Sequence, residues 1–175
     1  PISEVGRSGH TATLVNDKII FWGGEDSLGQ IINTVSIYKL QEATWVTGAT
    51  GGQPRKGHKA SLNKGNIYYW GGVDSSGLPL NTLDIYDPKN DQWIVEGQLE
   101  EGTARYDHAQ IEYLGNQISW AGQNESGNIN SLDIGTLNLS SRGDNILDNT
   151  NNMKSKFIND LSFKTNNLIF DEIGI

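Results

Sequence analysis

Three stretches of this chain repeat one another in register, and no other feature constrains its fold as tightly. Arg7-Ser8-Gly9-His10 returns as Arg55-Lys56-Gly57-His58 and again as Arg105-Tyr106-Asp107-His108, at steps of 48 and then 50 residues. Trp22-Gly23-Gly24 returns as Trp70-Gly71-Gly72 and as Trp120-Ala121-Gly122 at the same two steps. Asn33-Thr34-Val35-Ser36-Ile37-Tyr38 returns as Asn81-Thr82-Leu83-Asp84-Ile85-Tyr86, then as Asn130-Ser131-Leu132-Asp133-Ile134, and Trp45 returns as Trp93. All three His and all five Trp fall in this frame. Self-similarity at a fixed period marks an array of supersecondary units, each too small to bury its own apolar face.

Each unit reads as short strands. His10 to Val15 alternates with the two-residue period of a half-buried strand, and Asn16-Asp17 is a tight-turn pair. Lys18 to Trp22 is a β-rich apolar run closed by two glycines. A loop runs from Glu25 to about Ile32. Thr34 to Leu40 alternates again, and Thr44-Trp45-Val46-Thr47 is a short last strand. The second unit follows the same plan, with Asp87-Pro88-Lys89-Asn90-Asp91 as its final turn. Four short strands per unit make one small antiparallel sheet that gains stability by stacking on its copies.

Paired glycines after an apolar strand, then a Tyr strand, then a Trp, resemble the kelch repeat, whose period is about 50 residues. The resemblance covers Arg7 to Leu139. It implies an all-β fold, a partial β-propeller of kelch-type four-stranded antiparallel blades. The blades are expected at about 7–53, 54–104 and 105–139, making up residues 1–139. In the third unit Ala121 replaces the first glycine, Gly135 replaces the tyrosine and no Trp follows, so its fourth strand is in question. Residues 140–175 read as a polar linker rich in Asn, Asp and Ser, followed by either a degenerate fourth blade or an irregular tail. The period carries the third-unit turn, placed at Asn116, onto Asn166 and a hairpin through Asn166-Asn167. Propellers usually close with about four to eight blades, so the rest of the ring is expected from a longer chain or from a second copy.

Composition narrows the function. A formal net charge of -8 argues against a nucleic-acid backbone or membrane surface as partner, since both need a basic face. No apolar run approaches the roughly 20 residues of a membrane span. With no cysteine there is no thiolate ligand or nucleophile, and the compartment stays undetermined.

The repeated residues are read as structural: Arg7, His10, Gly23, Gly24, Tyr38 and Trp45; Arg55, His58, Gly71, Gly72, Tyr86 and Trp93; then Arg105, His108 and Gly122. The three His invite a metal reading, but equivalent positions on successive blades are rotated about the axis and need not converge. An Arg fork satisfies several carbonyls at a blade junction; the competing reading is a ring of Arg facing a central channel. No catalytic, metal or cofactor residue is expected. Recognition is expected in the loops after the glycine pairs, which differ between units and carry Glu25 and Asp26, then Asp74 and Ser75, then Asn124 and Glu125. The resemblance implies a scaffold or adaptor that binds a protein partner through inter-strand loops on a propeller face. The alternative is a fragment of a kelch-type carbohydrate-active enzyme, galactose-oxidase-like or sugar-epimerase-like, with its active site absent or incomplete. A galactose-oxidase cofactor needs a Tyr–Cys crosslink that this chain cannot form.

Overall fold

The computed structural model describes residues 6–99 and 102–136. The first repeat runs through β1 (Arg7–Ser8), β2 (Thr11–Val15), β3 (Lys18–Trp22), β4 (Glu25–Asp26), β5 (Val35–Lys39) and β6 (Thr44–Thr47). The second runs through β7 (Lys59–Asn63), β8 (Asn66–Trp70), β9 (Thr82–Asp87) and β10 (Gln92–Leu99). The third runs through β11 (Ala109–Tyr113), β12 (Asn116–Trp120), β13 (Gln123–Asn124), β14 (Gly127–Asn128) and β15 (Leu132–Thr136). Two four-stranded antiparallel sheets result, β2-β3-β5-β6 and β7-β8-β9-β10, with a three-stranded sheet β11-β12-β15 as the third blade. The described residues contain no helix, and the architecture is all-β, three blades of a partial kelch-type propeller. The questioned fourth strand of the third blade and the hairpin at Asn166 both fall outside the described residues.

Two local readings change. The third-unit turn is Leu114-Gly115, because those two residues take the positive φ values, 51° and 77°, that a tight hairpin demands. Asn116 already belongs to β12. The loop after the first glycine pair also starts with a strand, since β4 pairs with β1.

Blade stacking follows the two-residue period. β7 lies beside β2 on one side and β11 on the other, so the first strand of each blade neighbours its counterpart. At the first joint Ile20, Trp22, Val35 and Ile37 pack against Ile67, Tyr69, Tyr86 and Trp93. The second joint is unequal. The second blade offers Tyr68, Trp70, Leu83 and Ile85, whereas the third offers buried His108, Gln117 and Ser119. The backbone stitches each joint twice. Gly57 N–H donates to Gly9 O and Asp107 N–H to Gly57 O, at 2.8 and 2.9 Å. Gly24 N–H donates to Arg55 O and Gly72 N–H to Arg105 O, both at 2.8 Å.

Candidate interaction site

The loops after β3, β8 and β12 leave the sheets at one end of the strands, and an arginine closes the base of each. Arg55 Nη1 donates to the carbonyls of Gly71 and Thr82, at 2.9 and 2.8 Å. These two residues flank residues 72–81. Its Nη2 donates to Thr82 Oγ1 at 2.9 Å and to the Asp84 carboxylate. Arg105 repeats this on Ala121 O, Ser131 O, Ser131 Oγ and Asp133 Oδ2 at 2.9, 3.1, 2.7 and 2.5 Å. Arg7 does so on Gly23 O and Thr34 O at 3.4 and 3.2 Å, with Ser36 Oγ, 2.9 Å away, where the other blades have Asp. Each arginine thus works inside its own blade, and the Arg55 and Arg105 side chains are fully buried rather than turned toward a channel. The fork suits the task because it carries five fixed donors. Burial pulls the Arg55 guanidinium down to about 10, opposed by the Asp84 charge, so it stays a cation at neutral pH.

The histidines sit between blades. His58 Nε2 lies 3.0 Å from Thr11 Oγ1 of the preceding blade, and its ring stands edge-on to Trp22 with centroids 5.0 Å apart. His108 stands edge-on to Trp70 at 5.1 Å and donates from Nε2 to Gln110 Oε1 at 3.1 Å. Gln110 Nε2 in turn donates to Ser61 Oγ of the second blade at 2.7 Å. Burial lowers His58 well below its ordinary value and His108 to about 4, so both rings are neutral at pH 7. The half-buried His10 holds the equivalent place on the first blade and lies 5.9 Å from Phe21. Among the described residues no group of three or more His, Cys, Asp or Glu could hold a metal ion.

The glycine pairs mark close approaches between consecutive blades. A Cβ on Gly23 would lie 2.7 Å from His58 Cε1 and 2.8 Å from Arg55 O, and one on Gly24 would lie 2.5 Å from Ser8 O. Gly71 and Gly72 repeat this against the third blade. No side chain fits there.

Within the loops most of the polar candidates hold the loop itself. Asp26 Oδ1 accepts from Leu28 N and Gln30 N at 2.8 and 2.9 Å, and Asp74 Oδ1 accepts from Ser76 N and Leu78 N at 2.8 and 3.0 Å. Asn124 Oδ1 accepts from Ser126 N at 2.9 Å. These are Asx turns, in which a short polar side chain replaces a backbone acceptor. Glu25 Oε2 accepts from Lys56 Nζ at 2.5 Å, tying the first loop to the linker before the second blade. Ser75 and Glu125 are exposed. The loops present in addition two side chains that the polarity of their sequence conceals, Leu28 at 80% and Leu78 at 51% exposure. The available signal was a leucine beside the turn glycine, Leu28 before Gly29 and Leu78 after Gly77.

A family model described as the KLHDC2/KLHL20/DRC7 Kelch-repeats domain matches residues 3–156. No curated protein matches the chain.

Proposed function

The chain belongs to the kelch-repeat family, and on that premise we propose that it is a scaffold that engages a protein partner through the loops following the second strand of each blade. Kelch-repeat domains serve generally in protein interaction and are typically not enzymes. The observation that carries the finer reading is the internal economy of the loops. Their bases are clamped by Arg7, Arg55 and Arg105, and their Asp26, Asp74 and Asn124 side chains are turned inward as caps. A loop held this way loses little conformational entropy on binding, which favours affinity. Its outward groups are Leu28 and Leu78, apolar tips that act as anchors, with Ser75 and Glu125 on the polar rim. The ring these blades belong to is completed by further blades, from a longer chain or a second copy.

Photo-crosslinking tests the face. A benzophenone side chain placed at Leu28 or Leu78 should capture a defined partner. The same group at Leu114, on a hairpin turn at the opposite end of the strands, should not. Leu28→Asp combined with Leu78→Asp should abolish capture while leaving the melting temperature within a degree or two, because neither side chain packs in the core. Equal capture from both ends of the blades, or capture that survives the double substitution, would overturn the proposal.

A further inference from the structure

The two joints share one frame but are filled with different chemistry. At the first, Trp22 is fully buried and its ring lies 4.5 Å from Tyr69, 5.0 Å from Trp93 and 5.0 Å from His58. Its counterpart Trp70 enters the second joint with one ring partner among the described residues, His108 at 5.1 Å. Strand register explains the difference. Ile67, Tyr69 and Tyr86 line the second blade's side of the first joint. At those three positions the third blade carries Gln117, Ser119 and Gly135.

Polar atoms at the second joint lack partners. Asn63 stands where Val15 packs into the first joint, and Gln117 stands where Ile67 does. Both are buried, yet Asn63 Nδ2 and Gln117 Oε1 make no hydrogen bond among the described residues. Gln117 Nε2 donates within its own strand, to Ser119 Oγ at 3.4 Å. The first joint has one such atom, the Tyr69 hydroxyl, besides the imidazole Nδ1 common to both, and the rings packed on Tyr69 offset it. The ties across the joints differ as well. Glu25 Oε2 accepts from Lys56 Nζ at the first, whereas the equivalent positions at the second hold Val73 and Tyr106. The second is crossed by Gln110 Nε2 donating to Ser61 Oγ at 2.7 Å. Its turn residue Asp107 takes a φ of 52° where Gly9 and Gly57 take 66° and 68°, a region that suits glycine better.

We propose that the joint between the second and third blades is a seam that parts and re-closes while each sheet stays folded. Water replaces amide and hydroxyl hydrogen bonds at small net cost, but it cannot replace the packing of buried rings. Opening the second joint hydrates Ser61, Asn63, Gln110 and Gln117 and satisfies the two unpaired amide atoms. Opening the first would uncover apolar residues of both blades, whereas opening the second uncovers them on one blade only. Local openings of this kind lie well below global unfolding in free energy. The movement bares Tyr68, Trp70, Leu83 and Ile85, all buried when the seam is closed. It also parts the loop after β8 from the loop after β12. Each loop stays formed, because Arg55 and Arg105 clamp them within their own blades.

Amide hydrogen exchange resolved by residue, on the full 175-residue chain, reads each joint through its own backbone stitches. These are the Gly24 and Gly57 N–H groups at the first joint and the Gly72 and Asp107 N–H groups at the second. Protection factors at Gly72 and Asp107 should be about ten-fold or more below those at Gly24 and Gly57, with the strand amides of β8, β9 and β12 still protected. Asn63→Val with Gln117→Ile, which copies Val15 and Ile67, should raise protection at Gly72 and Asp107 by about ten-fold and leave Gly24 and Gly57 unchanged. The comparison within the unaltered chain stands whether or not that variant folds. Hydroxyl-radical labelling should likewise reach Trp70 faster than Trp22. Equal protection at the two joints overturns the proposal, as does a first joint that exchanges faster, or a folded double variant in which Gly72 and Asp107 are unchanged. Loss of protection in β12 together with Asp107 would also overturn it, since the third sheet would then be unfolding and not parting from its neighbour.

Discussion

Arg55 and Asp84 face each other inside the second blade with neither side chain exposed to solvent. Asp84 also accepts from the backbone N–H groups of Gln53 and Gly97, at 3.0 and 2.6 Å, so the carboxylate ties the linker, β9 and the bulge of β10 to one point. Buried pairs of this kind add little net stability over apolar residues, but breaking one strands a charge. Asp84→Ala should therefore cost about 3–5 kcal/mol, read as a fall in the urea midpoint. Asp84→Ser, which copies Ser36 of the first blade, should also destabilise. Arg7 tolerates a serine because it is only partly buried, and Arg55 is not.

Acid should loosen the blade joints before it protonates most carboxylates. Burial depresses His58 well below 6.5 and His108 to about 4 in the folded chain, while an unfolded histidine titrates near 6.5. The unfolded state therefore takes up more protons below that value. Stability is fully present above about pH 6.5 and declines as pH falls toward 4, by up to about 1.4 kcal/mol per pH unit for each histidine. Urea midpoints measured from pH 7.5 to 4.5 should show this slope, and His108→Gln should make it shallower. An unchanged slope in that variant would contradict the assignment.

Gly71 lies against the third blade at φ +70°, where a Cβ would come within 2.6 Å of Arg105 O and 2.8 Å of His108 Cε1. Gly71→Ala should open this joint and cost about 1–3 kcal/mol. Gly29 has a similar φ of +76° but nothing within 4 Å of the added carbon, so Gly29→Ala measures the backbone strain alone. Thermal melts of the two variants separate the steric term from the conformational one.

The weak second joint suggests a repair. Gln117 stands at the position of Ile67 and is 5% exposed, and its Oε1 accepts no hydrogen bond among the described residues. An unsatisfied buried acceptor costs about 1–3 kcal/mol. Gln117→Ile should raise the melting temperature by removing it and by burying apolar surface in its place. A fall in melting temperature would show that the hydrogen bond from Gln117 Nε2 to the buried Ser119 Oγ, at 3.4 Å, outweighs the unsatisfied oxygen.

The strands and their order were legible because each arises from a local pattern. Period-two alternation fixes which residues share a face, and the paired glycines end the second strand of the first two units at the same place. The turn at Leu114-Gly115 was misread because leucine seldom takes positive φ, and the neighbouring Asn116 looked the better turn residue. In the loops, the number of carboxylates was a poor guide to what they offer a partner. Asp26 and Asp74 each spend an oxygen on two N–H groups of their own loop, a use that depends on how the chain folds back over four residues.

The sequence by itself determined the repeat, the strands and the stacking of like units, because each follows from residues close together along the chain. Only the tertiary structure decided that the arginines clamp loops within their own blades, and that Trp22 is buried while its equivalent Trp120 is half exposed. A repeat gives equivalent residues the same strand position. It cannot give them the same neighbours, because a blade's surroundings depend on which residues stack against it.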